Sequence, residues 1–365
     1  MYYYRIAELT VESDRELSSY RAFACDPAKA DVTVTVTDEL PPLGPERISG
    51  MIAHRKLADG WFFHPVSTDQ RGLYISEDYS RLRRLGAEGP KVMGIVDESE
   101  WYIRIAMECL LTRKGYLSLH AAAVEVRGEA CVFSGPSGVG KSTRARAMEE
   151  AFGATLINGD RPLINTGTME VYGVPWDGKE QCFRNGHYPL KAICEVRRSG
   201  SVYIRSMDFA QRRKLLLRQC FMPMWDTETA VIQMTNAARL AAGAEIVRIF
   251  SGPAAEDARA LYSALDNHTD LKGETDMKAK QGFVLRNVVD EHILMPTGDM
   301  IGKFNGTVLL NDVSAFVWEK LQNPVSRDDL LRAILDEFEV EKAVASADLD
   351  ALLATLKEFG VIEED

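Results

Sequence analysis

Residues Gly135-Pro-Ser-Gly-Val-Gly-Lys-Ser142 fit the pattern G-x-x-x-x-G-K-[ST] at every fixed position. Such a loop suits phosphate for three reasons. Glycines lack a Cβ, so backbone N–H groups can turn toward an anion. A following helix aims the positive end of its dipole at the same point. The lysine reaches the β- and γ-phosphates, and the hydroxyl after it can hold Mg²⁺. The flanks agree with this reading. Ala130–Ser134 is a short apolar run that predicts a buried strand, and Thr143 to about Ala151 predicts a helix. The alternative, a Gly/Ser-rich turn without a ligand, leaves the agreement of motif and flanks unexplained. The expected cofactors are ATP and Mg²⁺. The expected contacts are Gly135, Pro136, Ser137, Gly138, Val139, Gly140, Lys141, Ser142 and Thr143, with Ser142 toward the metal.

Two further residues turn binding into chemistry. His120 lies 15 residues before Gly135. A histidine among Leu119 and Ala121–Ala123 is as often a satisfied core residue. A hairpin into the phosphate-loop strand, however, brings it near the γ-phosphate, where it neutralises charge or orients an acceptor. Asp160 ends the next strand, in Leu156-Ile-Asn-Gly-Asp-Arg161. A carboxylate there can help hold Mg²⁺ or accept the proton of an attacking hydroxyl. Its bland reading is an Asx-type turn residue. Asp177 and Lys179, in the ordered loop Tyr172-Gly-Val-Pro-Trp-Asp-Gly-Lys-Glu180, are candidate substrate or phosphate contacts, and an ordinary surface loop with a packed Trp176 fits equally well. The basic run Arg212, Arg213, Lys214 and Arg218 reads as a solvated helix face. The catalytic set is thus Asp160, His120 and Lys141; the metal set is Ser142 and Asp160.

These residues need elements to hold them. The 365-residue length and 46% hydrophobic content predict two or three domains. Residues 1–112 form a strand-rich region ending in a helix. In it Asp31–Thr37 alternates strictly, Gly60–Pro65 and Gly72–Ser76 look like strands, and a helix spans about Asp97–Leu111 with Ile103, Met107, Leu110 and Leu111 on one face. Residues 113–265 alternate strand and helix: strands Leu117–Val126, Ala130–Ser134 and Thr155–Ile157, helices Thr143–Phe152, Asp208–Gln219 and Ala255–Leu265. That mix predicts an α/β core. Residues 266–281 are polar and read as a linker. Beyond them, strands are expected at Phe283–Val288, His292–Met295 and Thr307–Leu310. Helices are expected at Asp312–Leu321, Arg327–Phe338 and Ser346–Phe359. Ser326 with Asp329 resembles a capping box, and Gly360 sits where a helix C-terminal glycine belongs.

Charge and cysteine usage narrow the partners. Residues 282–365 hold 17 acidic and 7 basic residues, nearly all of the chain's net −11. An acidic domain argues against nucleic acid and suits a basic partner, or simply aids solubility. The six scattered cysteines read as reduced thiols. No apolar run is long enough to cross a membrane, and no signal peptide is evident, so the expected location is the cytoplasm, away from the membrane.

His120, the phosphate loop, Asp160 and the Gly-x-Pro-Trp-x-Gly-Lys stretch at 173–179 together resemble the HPr kinase/phosphorylase-like family. The resemblance covers about residues 100–265. It implies an α/β P-loop kinase core related to phosphoenolpyruvate carboxykinase, transferring phosphoryl from ATP to a seryl hydroxyl. Asp160 would serve as base and Mg²⁺-side carboxylate, with His120 positioning or neutralising phosphate. Some relatives are peptide kinases in the biosynthesis of ribosomally synthesised modified peptides, including lasso peptides. Authentic HPr kinases carry two adjacent aspartates here, whereas Gly159-Asp160 offers one. The Glu-x-Arg-Gly signature of the bifunctional enzymes is also missing after Asp160. Both departures weaken HPr as substrate and weaken a reverse phosphatase activity.

Leu310-Asn-Asp-Val-Ser-Ala-Phe-Val-Trp-Glu-Lys-Leu321 places Ala315, Trp318 and Leu321 on one helical face with Asn311 near the N-cap. By itself that is a core stripe. As a whole, residues 282–365 look like PqqD, a winged-helix-like α+β peptide chaperone whose fold also serves as the leader-recognition domain of modified-peptide enzymes. The resemblance implies that a leader peptide adds as a strand to the edge Thr307, Val308, Leu309 and Leu310, beside a helix carrying Asp348 and Leu352. Asp348, Asp350 and Glu358 would suit a basic leader. The expected function is an ATP- and Mg²⁺-dependent kinase for a Ser or Thr of a precursor peptide. Two alternatives stand beside it: a small-molecule or carboxylate kinase regulated by the C-terminal domain, and a nucleotide-gated escort that binds a peptide without phosphorylating it. The resemblance also points toward homo-oligomers, though no residue here specifies one.

Overall fold

A computed structural model describes the chain except residues 40–44, 50–51, 87–90, 93–95, 177–183, 200–201, 267–276, 289–290, 303, 305 and 365. The chain divides into two compact units. The larger comprises residues 1–198, 204–249 and 253–270; the smaller comprises 271–365 with the short segments 199–203 and 250–252. The strand-rich region and the segment carrying the phosphate loop therefore share one unit, although the sequence suggests two domains.

The N-terminal region is an eight-stranded sheet: β1 Tyr2–Ile6, β2 Leu9–Ser13, β3 Val32–Thr37, β4 Glu46–Ser49, β5 Ile52–Leu57, β6 Gly60–Pro65, β7 Gly72–Ser76 and β8 Arg81–Leu85, in the order β1-β2-β3-β8-β7-β6-β5-β4. The alternation seen in the sequence is realised in β3, where Val32 and Val34 are buried and the intervening Thr33 and Thr35 are half-exposed. A short pair, β9 Lys91–Val92 and β10 Val96–Asp97, leads to helix α1, Glu98–Arg113. Ile103, Met107 and Leu111 of α1 are fully buried in the same core as Leu163, Val174 and Trp176. Each such side chain contributes about 1.5–3 kcal/mol of burial, as an upper figure. That shared core fastens the N-terminal region to the elements around Asp160.

The central sheet has nine strands. They are β11 Tyr116–Ser118, β12 Ala121–Val126, β13 Glu129–Ser134, β14 Thr155–Asn158, β15 Leu163–Asn165, β16 Glu170–Tyr172, β17 His187–Arg198, β18 Tyr203–Ser206 and β19 Ile246–Ser251. The main path runs β11-β15-β16-β17-β13-β12-β14. The phosphate-loop strand β13 runs parallel to β17 and antiparallel to β12. Its helix, α2, spans Lys141–Phe152 and packs on α5, Ala255–Asp266. Helices α3 (Phe209–Gln219) and α4 (Thr227–Gly243) pack on each other. Asp208 caps α3 through a capping box with Gln211.

Several elements are absent from the sequence reading, and the strand β17 and the helix α4 are the longest of them. The long strand β17 directly follows the turn-like Asn185-Gly186 and contains Pro189, which masks its strand pattern. Helix α4 is rich in Thr and Ala, and its buried face includes Thr229, Gln233 and Asn236, so hydropathy does not mark it. A further difference concerns the stretch Leu117–Val126. It is two strands rather than one, because β11 pairs with β15 while β12 pairs with β13 and β14.

In the C-terminal unit, β21 Phe283–Val288, β22 Glu291–Pro296 and β23 Val308–Leu310 form an antiparallel sheet with β23 at its edge. Helices α6 Asp312–Lys320, α7 Arg327–Glu337 and α8 Lys342–Glu358 follow. The expected stripe is core: Ala315, Trp318 and Leu321 are buried. Asn311 caps α6 by accepting from Ser314 N, and Ser326 caps α7 by accepting from Asp329 N. Gly360 has φ +66°, as the end of α8 requires. Met277–Ala279, inside the stretch expected to be a linker, forms strand β20 and pairs with β24, Ile362–Glu364. Apolar Met277 and Ala279 are both buried there, which closes this unit with strands from its two chain ends.

Candidate active site

The register of the β12–β13 hairpin sets the site. Ala121 lies opposite Ser134, so His120 stands level with Gly135, the first residue of the phosphate loop. The chain crosses between the two parts of the central sheet at Leu119–His120, and its backbone is held there from both sides. His120 N donates to Gln219 O (2.8 Å), and Ser134 Oγ donates to His120 O (3.1 Å). Ala121 N donates to Asp160 O (2.9 Å), which draws the end of β14 against the start of β12.

Three side chains meet at this point. His120 Nδ1 lies 3.0 Å from Asp160 Oδ1, and His120 Nε2 lies 2.9 Å from Lys141 Nζ. A lysine ammonium only donates, so Nε2 accepts and Nδ1 carries the proton given to Asp160. The imidazole thus links a carboxylate to an ammonium. The structure therefore brings the three expected catalytic residues together. Lys141 Nζ also donates to the carbonyls of Gly135 (3.1 Å) and Pro136 (3.2 Å).

Lys141 is buried, which lowers its pKa; Asp160 pulls it up and Arg161 pushes it down, and the net result lies below the ordinary lysine value. Burial raises the Asp160 carboxyl, but the hydrogen bond and electrostatic pull of the His120 N–H, with the charges of Arg161 and Arg104, outweigh it. Asp160 therefore stays ionised below the usual carboxylate range.

The loop is shaped for close approach. Gly135, Gly138 and Gly140 have φ of +145°, +77° and +105°, a region that disfavours side chains. A Cβ on Gly140 would stand 2.4 Å from the Arg144 guanidinium. Gly140 is also the N-cap of α2 and supplies no side-chain cap, so the N–H groups of the first turn point outward for a ligand. Ser137 and Thr143 are exposed, and Ser142 is half-buried. Arg198 of β17 donates to the carbonyls of Gly138 and Val139 and ties the loop to the sheet.

The structure adds a residue that sequence reading passes over. Asn158 is fully buried; its Oδ1 accepts from Asp160 N (3.0 Å) and Arg161 N (2.6 Å), while its Nδ2 donates to Val174 O and Trp176 O. Asn158, and not Asp160, is the Asx-turn residue. That leaves the Asp160 side chain free for His120. The Asn-Gly-Asp run was the available signal; only packing shows which residue turns the chain. Asp177 and Lys179 lie outside the described residues. Arg212 is not simply a solvated face residue, since it donates to Met207 O and Ala244 O.

No group of three or more His, Cys, Asp or Glu that could hold a metal occurs among the described residues. Ser142 and Asp160 offer one hydroxyl and one carboxylate, a set that fits Mg²⁺ completed by nucleotide phosphates. No helix among the described residues is long and apolar enough to cross a membrane.

In the C-terminal unit, a cleft of about 440 Å³ lies among α6, α7 and α8, lined by Asn311, Val313, Phe338, Val340, Asp348 and Leu352 among others. The expected pair Asp348 and Leu352 therefore shares one cleft. Beside α6, strand β23 pairs only with β22 among the described residues, and Leu309 on it is 64% exposed. Thr307 is exposed and just precedes the strand, so the edge begins at Val308. Asp350 departs from expectation: Arg327 binds its carboxylate with Nε and Nη2 at 2.5 and 2.7 Å, so its charge is already compensated.

Comparison with known proteins bears on this unit. No curated protein matches the chain. Among solved structures, it is similar to "Lasso peptide synthetase B1 complexed with the leader peptide", at 24% identity over 24% of this chain and 98% of that one, with a TM-score of 0.21. It is also similar to "TbiB1 in Complex with the TbiA(beta) Leader Peptide", at 21% identity over 24% of this chain and 94% of that one, with a TM-score of 0.21. At those scores the likenesses carry no structural argument. Residues 291–362 match the family of PqqD, coenzyme PQQ synthesis protein D, and form a PqqD-type domain within the smaller unit.

Proposed function

We propose that the chain is an ATP- and Mg²⁺-dependent kinase that phosphorylates a Ser or Thr hydroxyl of a ribosomally made precursor peptide held by its leader. The observation that carries the reading is the Asp160–His120–Lys141 line against the phosphate loop, in one chain with a PqqD-type domain. Lys141 and the first turn of α2 would bind the phosphates, and Ser142 with Asp160 would hold Mg²⁺, which supplies charge neutralisation. His120 keeps the Asp160 carboxylate in place. A carboxylate with a lowered pKa is a weak base. Phosphoryl transfer through a loose transition state asks for orientation of the hydroxyl more than for base strength. Asp160 suits that task.

The leader would add to the β23 edge through backbone hydrogen bonds and place side chains in the Asp348–Leu352 cleft. Covalent fusion of binding domain and kinase raises the effective concentration of the acceptor. The test is transfer of labelled γ-phosphate to a candidate precursor, read by mass spectrometry, in the wild type and in Asp160→Asn. Loss of roughly 10²-fold or more in the variant, with nucleotide affinity retained, is expected. Undiminished transfer in Asp160→Asn would remove Asp160 from the mechanism. A wild type that binds nucleotide and peptide yet transfers nothing would favour the escort reading.

A further inference from the structure

Arg161 follows Asp160 and stands in the same Asx turn, its N–H held by Asn158 Oδ1 at 2.6 Å. Leu119 N donates to Pro162 O (3.2 Å) and Ala121 N to Asp160 O, so residues 160–162 run alongside His120. Other cations around the site have partners. Arg104 pairs with Glu108 at 3.2 Å, Lys141 is held by His120 and two loop carbonyls, and Arg198 donates to two more loop carbonyls. Arg161 differs. Its side chain is in no ion pair among the described residues, and its Nε is buried without a hydrogen-bond partner.

A guanidinium donor withdrawn from water without an acceptor is unfavourable. Leaving that Nε without an acceptor costs the fold, whereas an incoming oxyanion satisfies it. Arginine is also the side chain whose planar donors match phosphoryl oxygens two at a time. The Arg161 charge reaches the site, since it helps depress both Lys141 and Asp160.

We propose that Arg161 binds an oxyanion of the phosphoryl group in transit between the nucleotide and the acceptor hydroxyl. This rests on the kinase reading above. In the step it serves, the acceptor oxygen forms a bond to the γ-phosphorus and the bond from that phosphorus to the β,γ-bridging oxygen breaks. The electron pair stays on the β-phosphate of the departing ADP, and the hydroxyl proton passes to the Asp160 carboxylate. Charge spreads over the equatorial oxygens during transfer, and Arg161 is stationed to share it with Lys141.

The experiment measures binding of Mg-ADP, with and without aluminium fluoride as the mimic of the transferring group, to the full chain and to Arg161→Met. Wild type is expected to bind Mg-ADP more tightly when aluminium fluoride is present. Arg161→Met is expected to retain Mg-ADP affinity within about 3-fold and to lose roughly 10²-fold or more of the aluminium fluoride gain. Its melting temperature should hold or rise, because an orphaned donor has been removed; a purely structural arginine would lower it. An undiminished gain in Arg161→Met overturns the assignment. So does a rise in peptide KM alone, which would place the oxyanion on the acceptor. Should Arg161→Met not fold, Arg161→Lys decides, with about a 10-fold loss of the gain expected and equality with wild type overturning the proposal. A wild type with no gain and no peptide labelling would fail both this proposal and the kinase reading. A wild type with a full gain that Arg161→Met keeps would fail the arginine role alone.

Discussion

The site at Lys141 and the cleft at Leu352 are built on opposite principles. Around Lys141, the three central side chains, Asp160, His120 and Lys141, are held by one another, and Asn158 holds the turn beneath them. The surroundings are buried enough to move two pKa values. Around Leu352, the reverse holds. The outer edge of β23 has no strand partner among the described residues, Leu309 is exposed, and the cleft mixes apolar side chains with Asn311, Ser314, Asp348 and Thr355. The first arrangement suits a reaction that needs fixed dipoles; the second suits an extended guest that completes a sheet. The difference teaches where each kind of substitution should be felt.

The largest effect is expected from Lys141→Met. It removes the ammonium that both loop carbonyls and His120 share, and labelled phosphate transfer should fall by roughly 10³-fold or more. Leader affinity measured by fluorescence anisotropy should stay the same. A parallel loss of leader affinity would erase the contrast between the two regions.

Asn158→Ala comes next. It strands two N–H groups and two carbonyls in a buried turn, and chemical denaturation should show about 2–4 kcal/mol of lost stability. A change under about 0.5 kcal/mol would mean that the site is less tightly preassembled than its hydrogen bonds imply. Leu352→Asp should weaken leader binding by about 10-fold, through lost apolar contact, and leave ATP affinity within about 2-fold. Unchanged leader affinity would take the guest out of this cleft.

The smallest effect concerns pH. Burial holds the Lys141 pKa below the ordinary lysine value, so its proton leaves at a lower pH than that of a surface lysine. ATP affinity should therefore decline as pH rises, beginning below the ordinary lysine range, while leader affinity shows no such limb. Asp160 has the opposite sense: its depressed pKa keeps it ionised, and its contribution to stability is lost only as pH falls through that lowered value. An alkaline limb of ATP binding at or above the usual lysine pKa would count against a desolvated Lys141.

Much of the candidate site was legible because its signals are local. The glycines of the phosphate loop, Lys141 and the caps at Asn311, Ser326 and Gly360 act within a few residues of chain, where spacing is geometry. His120 and Asp160 were legible as candidates through their positions next to strands. The rest was written in pairings across the chain. Helix α4 escaped because half of its buried face is polar, with Asn236 donating to Thr112 O and Tyr116 O. Strand β20 escaped because a polar flank hides Met277 and Ala279, whose burial depends on β24 some 85 residues away. Asp350 looked available until Arg327 was brought to it.

The sequence alone determined that a glycine-rich G-x-x-x-x-G-K-S loop stands between a strand and a helix, and that the C-terminal residues form a separate, acidic α+β unit. Backbone preferences and hydrophobic period act over short stretches, so they can be read without the fold. Only the tertiary structure decided that Asp160 faces His120, that His120 reaches Lys141, that Asn158 supports the turn, and that Arg161 is left with a buried donor. Those outcomes depend on strand register and on what burial leaves each polar atom to bond with, and neither exists until distant segments have packed.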